Sequence, residues 1–167
     1  MPSFHDYPAR SADYAPTLGS TVVIVPHPDD EALGCGGLLA LLARARQPVH
    51  TALMSDGTMS HPHSQLFSAA ARRAVREGEL RHSLSILGVD AVEPLCLGLP
   101  DGAVPAAGQP GFAEAAEKLR VFLAEIQPAT LLVPWRRDPH PDHRASSQLV
   151  QAALAQLPTT PRRLEYV

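Results

Sequence analysis

The sequence predicts an α/β protein with a Rossmann-like three-layer sandwich, in which helices cover both faces of a mostly parallel sheet. Two short runs, TVVIV at 21–25 and TLLVP at 130–134, are apolar throughout, as strands buried on both faces are. Segments with the length and Leu/Ala content of helices alternate with the strands. This alternation is typical of parallel sheets whose crossover helices pack on both faces.

The elements follow one another in a regular order along the 167 residues. Strands are predicted at 21–25, 49–55, 91–97, 130–134 and from 164 onward, and helices at 32–46, 68–87, 112–126 and 144–157. Residues 1–19 are rich in Pro, Ser, Ala and Asp without periodicity, which predicts a flexible N-terminal arm. Residues 20–167 are expected to form a single domain, because their length suits one hydrophobic core.

Composition excludes several classes of function. A net charge of −3 and a pI of about 6.2 give no basic surface for nucleic acid. No run reaches the ~18 apolar residues that a membrane span needs. The two cysteines, Cys35 and Cys96, lie far apart and form no CxxC pair, so a reduced, cytoplasmic setting is expected.

Polar clusters follow two of the predicted strands. The first strand leads into Pro-His-Pro-Asp-Asp-Glu at 26–31, and the strand at 130–134 leads through 135–139 into His-Pro-Asp-His at 140–143. In parallel α/β sheets the carboxyl ends of the strands line the ligand crevice, so the two clusters are expected to converge there. Each cluster combines imidazole and carboxylate groups, which are common zinc ligands. The sequence therefore predicts one metal site built from two half-sites.

A catalytic zinc usually has three protein ligands and one open position for water. His27, Asp30 and His143 would supply such a set. The alternative for the first cluster is that its acidic residues cap a helix and complement its dipole. For the second cluster the alternative is a His-Pro-Asp-His loop without function.

Four ordered landmarks resemble the PIG-L/LmbE family of zinc-dependent N-deacetylases. They are PHPDDEALGCGG at 26–37, the Arg76–Glu79 helix segment followed by Leu-Gly at 87–88, the loop Leu-Pro-Asp-Gly at 99–102, and WRRDPHPDHRA at 135–145. The resemblance covers about residues 21–167. It implies a zinc-dependent hydrolase that removes an acetyl group from an amino sugar or a related N-acetylated small molecule.

The resemblance also assigns roles to individual residues. It implies that His27, Asp30 and His143 bind zinc, and that Asp29 acts as general base toward a zinc-bound water. His140 would be the partner acid, held in its tautomer by Asp142. Two further positions, Arg76 and Asp101, are expected to bind substrate, and Arg76 alternatively contacts the catalytic carboxylate.

Two features depart from the family pattern. Pro26 replaces the usual alanine, and the sequence stops at a predicted strand that lies well inside many family members. We expect either a compact variant, or substrate contacts supplied from elsewhere, such as a neighbouring subunit of a homo-oligomer. A metal-dependent phosphoesterase and a non-catalytic metal- or ligand-binding module remain as alternative functions.

Overall fold

The computed structural model describes residues 9–89 and 93–167, and its centre is one five-stranded sheet. The strand order is β3-β2-β1-β4-β5, and every neighbouring pair is parallel. The strands are β1 (Thr21–Val25), β2 (Val49–Ser55), β3 (Leu95–Leu99), β4 (Thr130–Pro134) and β5 (Arg162–Tyr166). The predicted α/β class is confirmed.

Four helices cover the two faces of the sheet: α1 (Asp30–Arg44), α2 (Ala69–Ile86), α3 (Phe112–Ile126) and α4 (Pro141–Leu154). One buried cluster joins Val22 and Ile24 of β1 to α3 and α4. A second joins Val23 and Val25 to α1 and α2. The alternating side chains of one apolar strand thus serve two cores, as the continuous apolar run predicts.

Several element bounds differ from the prediction. The helices α1 and α4 begin two and three residues earlier than expected, at Asp30 and Pro141, so parts of both polar motifs form helical first turns. Proline suits the first position of a helix, because the amide hydrogen it lacks would have no partner inside the helix. Strand β3 begins at Leu95 rather than 91, although residues 90–92 lie outside the described part of the chain.

The segment expected to be a flexible arm contains ordered structure. Residues 12–18 form a 3-10 helix, Ala12–Leu18, in which Ala15 and Leu18 are buried. Both side chains belong to the core on the side of α1 and α2. Burial of apolar surface therefore holds this part of the segment against the domain.

The topology places a crevice between two neighbouring strands. The chain leaves β1 toward α1 on one face, whereas it leaves the adjacent β4 toward α4 on the other face. Loops that diverge in this way open a crevice beyond the carboxyl ends of the strands. None of the helices within 9–89 and 93–167 is both long and apolar enough to cross a bilayer.

Candidate metal centre and active site

The two polar motifs meet at the crevice between β1 and β4. The rings of His27, His140 and His143 pack together, with centroid separations of 4.8–5.4 Å. One of the three follows β1, and the other two lie at the start of α4. The predicted convergence of the two half-sites is therefore present in the fold.

Two imidazoles face the same carboxylate oxygen. Oδ2 of Asp30 lies 3.3 Å from Nδ1 of His27 and 3.2 Å from Nε2 of His143. Nitrogen and oxygen donors at the 2.0–2.2 Å of a tetrahedral zinc ion are about 3.3–3.6 Å apart. The chemistry of these three donors, and the distance of each imidazole nitrogen from the carboxylate oxygen, therefore suit zinc ligands.

The far nitrogens of both imidazoles also face carboxylates. Nε2 of His27 lies 3.0 Å from Asp142, and Nδ1 of His143 lies 3.3 Å from Asp138. A carboxylate on the far nitrogen holds the ring proton there and leaves the near nitrogen free to bind a metal. Asp138 had no role in the sequence-based prediction. Its place inside the motif WRRDPHPDH is the only sequence signal for it.

The histidines and carboxylates of this cluster shift one another's pKa values. Burial would lower the pKa of His27, but hydrogen bonds with Asp30 and Asp142 outweigh burial and raise it to about 9. Burial would likewise lower the pKa of His143, but the hydrogen bond with Asp30 and the negative charges of Asp30 and Asp138 together outweigh burial and raise it. Burial would raise the pKa of Asp30, yet hydrogen bonds with His143 and His27 hold it far below its usual range.

Two groups of three side chains within 9–89 and 93–167 could hold a metal, and Asp30 belongs to neither. One consists of His27, His140 and His143, and the other of His27, Asp101 and Asp142, with donor atoms within 4.8 Å of one another in each group. In the second group, however, the oxygens of Asp142 already accept N–H bonds from Gly102 at 2.8 Å and Val104 at 3.1 Å. The amides compete with a metal for these oxygens.

The two neighbouring aspartates point in different directions. Asp29 has φ of +133° and ψ of −22°, a conformation rare outside glycine, and its N–H donates to the buried Glu31 carboxylate at 3.1 Å. The turn directs Asp30 toward His27 and His143, while the half-exposed carboxylate of Asp29 lies 2.9 Å from Nη2 of Arg76. Asp29 is the N-cap residue of α1 but makes no side-chain cap hydrogen bond, whereas Asp30 and Glu31 lie in the first turn, as the helix-dipole alternative expects.

Arg76 contacts the Asp29 carboxylate, which is one of the two roles expected for it. Its guanidinium also donates to the carbonyl oxygen of Pro28 and pairs with Glu79. These contacts tie α2 to the loop that follows β1. The orientation of Asp29 is therefore supported from a second element.

The predicted partnership between Asp142 and His140 takes a different form. The buried Asp142 carboxylate faces His27, and only the backbone N–H of Asp142 reaches Nδ1 of His140, at 3.2 Å. Because Nδ1 accepts this bond, the neutral ring carries its proton on Nε2. In this tautomer His140 can donate a hydrogen bond but has no second ring proton to release. Asp142 thus contacts His140 through its backbone N–H, while its carboxylate contacts His27.

A cleft of about 390 Å³ brings most of the predicted site residues together. It is lined by His27, Asp29, Arg76, Asp101 and His140, with Asp30, His143 and Asp142 outside its lining. Asp101 accepts a bond from the N–H of Met59 at 2.7 Å and lies 3.5 Å from Nε2 of His27. The turn residue Asp101 thus forms part of the cleft wall.

Comparison with known proteins identifies the family. The model of the PIG-L family, described as GlcNAc-PI de-N-acetylase, matches residues 22–154. The chain belongs to the PIG-L family. The resemblance of its motifs to that family is confirmed.

Curated PIG-L relatives act on acetylated sugars, according to their names. The chain is 32% identical over 157 residues to a 1D-myo-inositol 2-acetamido-2-deoxy-alpha-D-glucopyranoside deacetylase of Corynebacterium kroppenstedtii, covering 80% of this chain and 40% of the relative. It is 26% identical to a probable N-acetyl-alpha-D-glucosaminyl L-malate deacetylase 2 of Bacillus cereus, covering 84% of this chain and 63% of the relative. The chain spans about half the length of the curated relatives it matches.

Solved structures share the PIG-L fold described above. The N,N'-diacetylchitobiose deacetylase of Pyrococcus horikoshii superposes with a TM-score of 0.76 at 26% identity, covering 88% of this chain and 60% of that one. The 4-carboxy-2-hydroxymuconate hydratase GalB of Pseudomonas putida superposes with a TM-score of 0.71 at 22% identity, covering 83% of this chain and 56% of that one. The similarity to GalB concerns the fold alone.

Proposed function

We propose that this PIG-L domain is a zinc-dependent hydrolase that removes an acetyl group from the nitrogen of an amino sugar or a related N-acetylated small molecule. The observation that carries the proposal is the arrangement around Asp30, where the near nitrogens of His27 and His143 both face one carboxylate oxygen. Beside this arrangement, the cleft presents a further carboxylate, Asp29, that is not engaged by either imidazole.

His27, Asp30 and His143 would hold the zinc ion. When bound, zinc supplies a Lewis acid that polarises the amide carbonyl and lowers the pKa of water toward ~7. Asp142 and Asp138 orient the two imidazoles through their far nitrogens. Asp30 is chosen as a ligand because its Oδ2 faces one nitrogen of each imidazole, and the set with Asp142 is disfavoured because amide N–H groups already occupy that carboxylate. The zinc content of histidine variants distinguishes the chosen set from that of His27, His140 and His143.

Asp29 is the proposed proton carrier. Its carboxylate takes a proton from the water that attacks the carbonyl carbon, and returns a proton to the nitrogen as the C–N bond breaks. The products are a free amine and acetic acid, which releases its proton to solvent as acetate, and Asp29 ends in its starting form. Return of the proton matters because an unprotonated amide nitrogen is a very poor leaving group.

His140 and Arg76 act on either side of this proton transfer. His140 lines the cleft, and its Nε2–H would donate a hydrogen bond to the carbonyl oxygen as negative charge develops there. Arg76 holds Asp29 in place. Asp101, which also lines the cleft, would offer a carboxylate oxygen to a sugar hydroxyl.

The substrate class follows from the chemistry that the named relatives share. Their names specify a 2-acetamido-2-deoxy-glucose unit joined to inositol or a glucosaminyl unit joined to malate, and another relative acts on diacetylchitobiose. The common element is an acetylated amine on a glucosamine ring. We therefore propose this element, and not the attached group, as the part recognised in the cleft.

Metal analysis and an activity screen test the proposal together. Purified protein is expected to carry about one zinc per chain and to release free amine from N-acetylglucosamine derivatives. Chelation should abolish the release, and added zinc should restore it. Two metals per chain with activity on phosphate esters would instead support a phosphoesterase, since such sites often hold a pair of ions.

A further inference from the structure

A second, larger cavity, here called the apolar groove, lies beside the cleft. It has a volume of about 700 Å³ and is enclosed by α2 and the loop that follows β2. Its lining includes Ser60, His61, Leu66, Phe67, Val75 and Arg76. Pockets for small molecules are commonly 300–1,000 Å³ and mostly apolar, so this groove has the size of a ligand site.

Half of the exposed large apolar side chains lie in or next to this groove. Eight are exposed within 9–89 and 93–167, and four of them are Met59, Leu66, Phe67 and Val75. The last three line the groove, and Met59 lines the adjoining cleft. Clusters of exposed apolar residues mark binding surfaces more often than single ones do.

The loop that forms the outer wall is attached to α2. Nε of Arg72 donates to the carbonyl oxygen of Thr58, and its Nη1 donates to that of Phe67, both at 2.8 Å. The N–H groups of Leu66 and Phe67 donate to Oγ of Ser64. These bonds fix the loop that carries Phe67 against α2, and Val75 of α2 lines the same groove.

The groove is continuous with the cleft. Ser60 and Arg76 line both, and the guanidinium of Arg76 lies between the groove and the carboxylate of Asp29. A molecule whose amide lies beside Asp29 can therefore extend past Arg76 into the groove. The polar cleft suits a sugar, whereas the apolar groove suits a hydrocarbon.

From this continuity we infer that the groove binds an alkyl or aryl group carried by the same molecule whose amide is cleaved. The inference rests on the proposed function and adds a substrate class, that of N-acylated amino sugars with an apolar substituent. The apolar group is either a longer N-acyl chain or a group attached to the sugar oxygen. A second protein copy is a poorer occupant, because stable interfaces use about 20–30 residues a side and this patch offers four large apolar ones.

A binding measurement tests whether the groove accepts an alkyl group, and it requires no turnover. Calorimetry compares the affinities of octyl β-glucoside and methyl β-glucoside below the micelle concentration of the octyl compound. The octyl compound should bind the zinc-loaded protein at least about 10-fold more tightly than the methyl compound. Phe67→Ser and Val75→Ser should each remove most of this difference. Ile86→Ser, on the same helix at an exposed position outside the groove, should keep it.

Measurements of turnover then show whether the apolar group is part of the N-acyl chain or is attached to the sugar oxygen. Octyl N-acetylglucosaminide is compared with the methyl glycoside, and N-octanoylglucosamine with N-acetylglucosamine, by kcat/KM. A preference for the longer compound in one series, lost in Phe67→Ser, identifies the side on which the chain lies.

Distinct outcomes separate the inference from the proposed function. Octyl binding that depends on Phe67 without amide hydrolysis would support the groove and contradict the deacetylase proposal. Equal affinities for octyl and methyl glucoside would overturn the inference even if deacetylation occurs. So would a loss of the octyl preference in Ile86→Ser as large as the loss in Phe67→Ser. A self-association of the wild type that Phe67→Ser abolishes, with no octyl preference, would identify a second copy as the occupant.

Discussion

The buried carboxylate of Asp142 lies 3.0 Å from Nε2 of His27, a residue 115 positions earlier in the chain. The same carboxylate accepts bonds from the N–H groups of Gly102 and Val104. It therefore joins the start of α4, the loop after β3 and the loop after β1. In doing so it turns Nδ1 of His27 toward Asp30, where the proposed metal binds.

Asp142→Asn should weaken zinc binding by about 10–100-fold, since asparagine cannot accept bonds at both of its terminal atoms. The zinc dissociation constant is measured by competition with a chelator, on a variant that circular dichroism shows to be folded. Asp13→Asn, at an exposed position in the 3-10 helix, is the control and should bind like the wild type. An unchanged affinity in Asp142→Asn would mean that the His27 ring is oriented without it.

Replacing the two histidines of the motif at 140–143 distinguishes the proposed zinc ligand, His143, from the proposed hydrogen-bond donor, His140. His143→Ala should lose bound zinc, because Nε2 of His143 faces Asp30. His140→Ala should keep zinc and lose turnover, because Nδ1 of His140 is occupied by a backbone N–H. Zinc per chain and kcat are measured on both variants. Equal zinc loss in the two variants would favour the set of His27, His140 and His143 instead.

The glycines of α1 make a matched pair for stability. A Cβ added at Gly34 would overlap the ring of Tyr166, whose hydroxyl donates to the carbonyl oxygen of Ile24 at 2.6 Å. Gly34→Ala should therefore lower the free energy of unfolding by about 1–3 kcal/mol. Gly37 has open space around its Cα, so Gly37→Ala should raise it by about 0.5–1 kcal/mol. Urea unfolding measures both, and a stabilising Gly34→Ala would show that β5 does not pack on α1 as described.

Local sequence patterns predicted most of the fold. Strands β1, β2 and β4 and helix α3 have the predicted bounds, because each is a regular apolar or amphipathic run with clear ends. The helix starts at Asp30 and Pro141 were placed too late, since residues assigned to chemistry were assumed to lie in loops. Strand β3 is irregular, with Gly98 at φ of +63° and a register shift against β2, and no periodicity marks such a strand.

Contacts between distant residues could not be derived from the sequence. Spacing alone associated Asp142 with the nearby His140, whereas the structure pairs its carboxylate with His27. Asp138 was likewise overlooked, because its contact with His143 depends on the turn that precedes α4. The apolar groove escaped attention because Leu66, Phe67 and Val75 come together only when the loop folds onto α2. Motif matching thus found the reactive groups and Arg76, which contacts Asp29, but not the carboxylates that face the two imidazoles.

The most direct test of the proposed mechanism is the kcat of zinc-saturated Asp29→Asn on an N-acetylglucosamine substrate that the wild type cleaves. Asparagine keeps the size of Asp29 and a hydrogen bond with Arg76 but cannot accept the proton. The substitution should lower kcat by about 10²–10⁴-fold and leave zinc binding nearly intact. Asp30→Asn should instead weaken zinc binding, and excess zinc should restore part of its activity and none of that of Asp29→Asn. Near-normal turnover in Asp29→Asn would contradict the assignment of Asp29 as proton carrier.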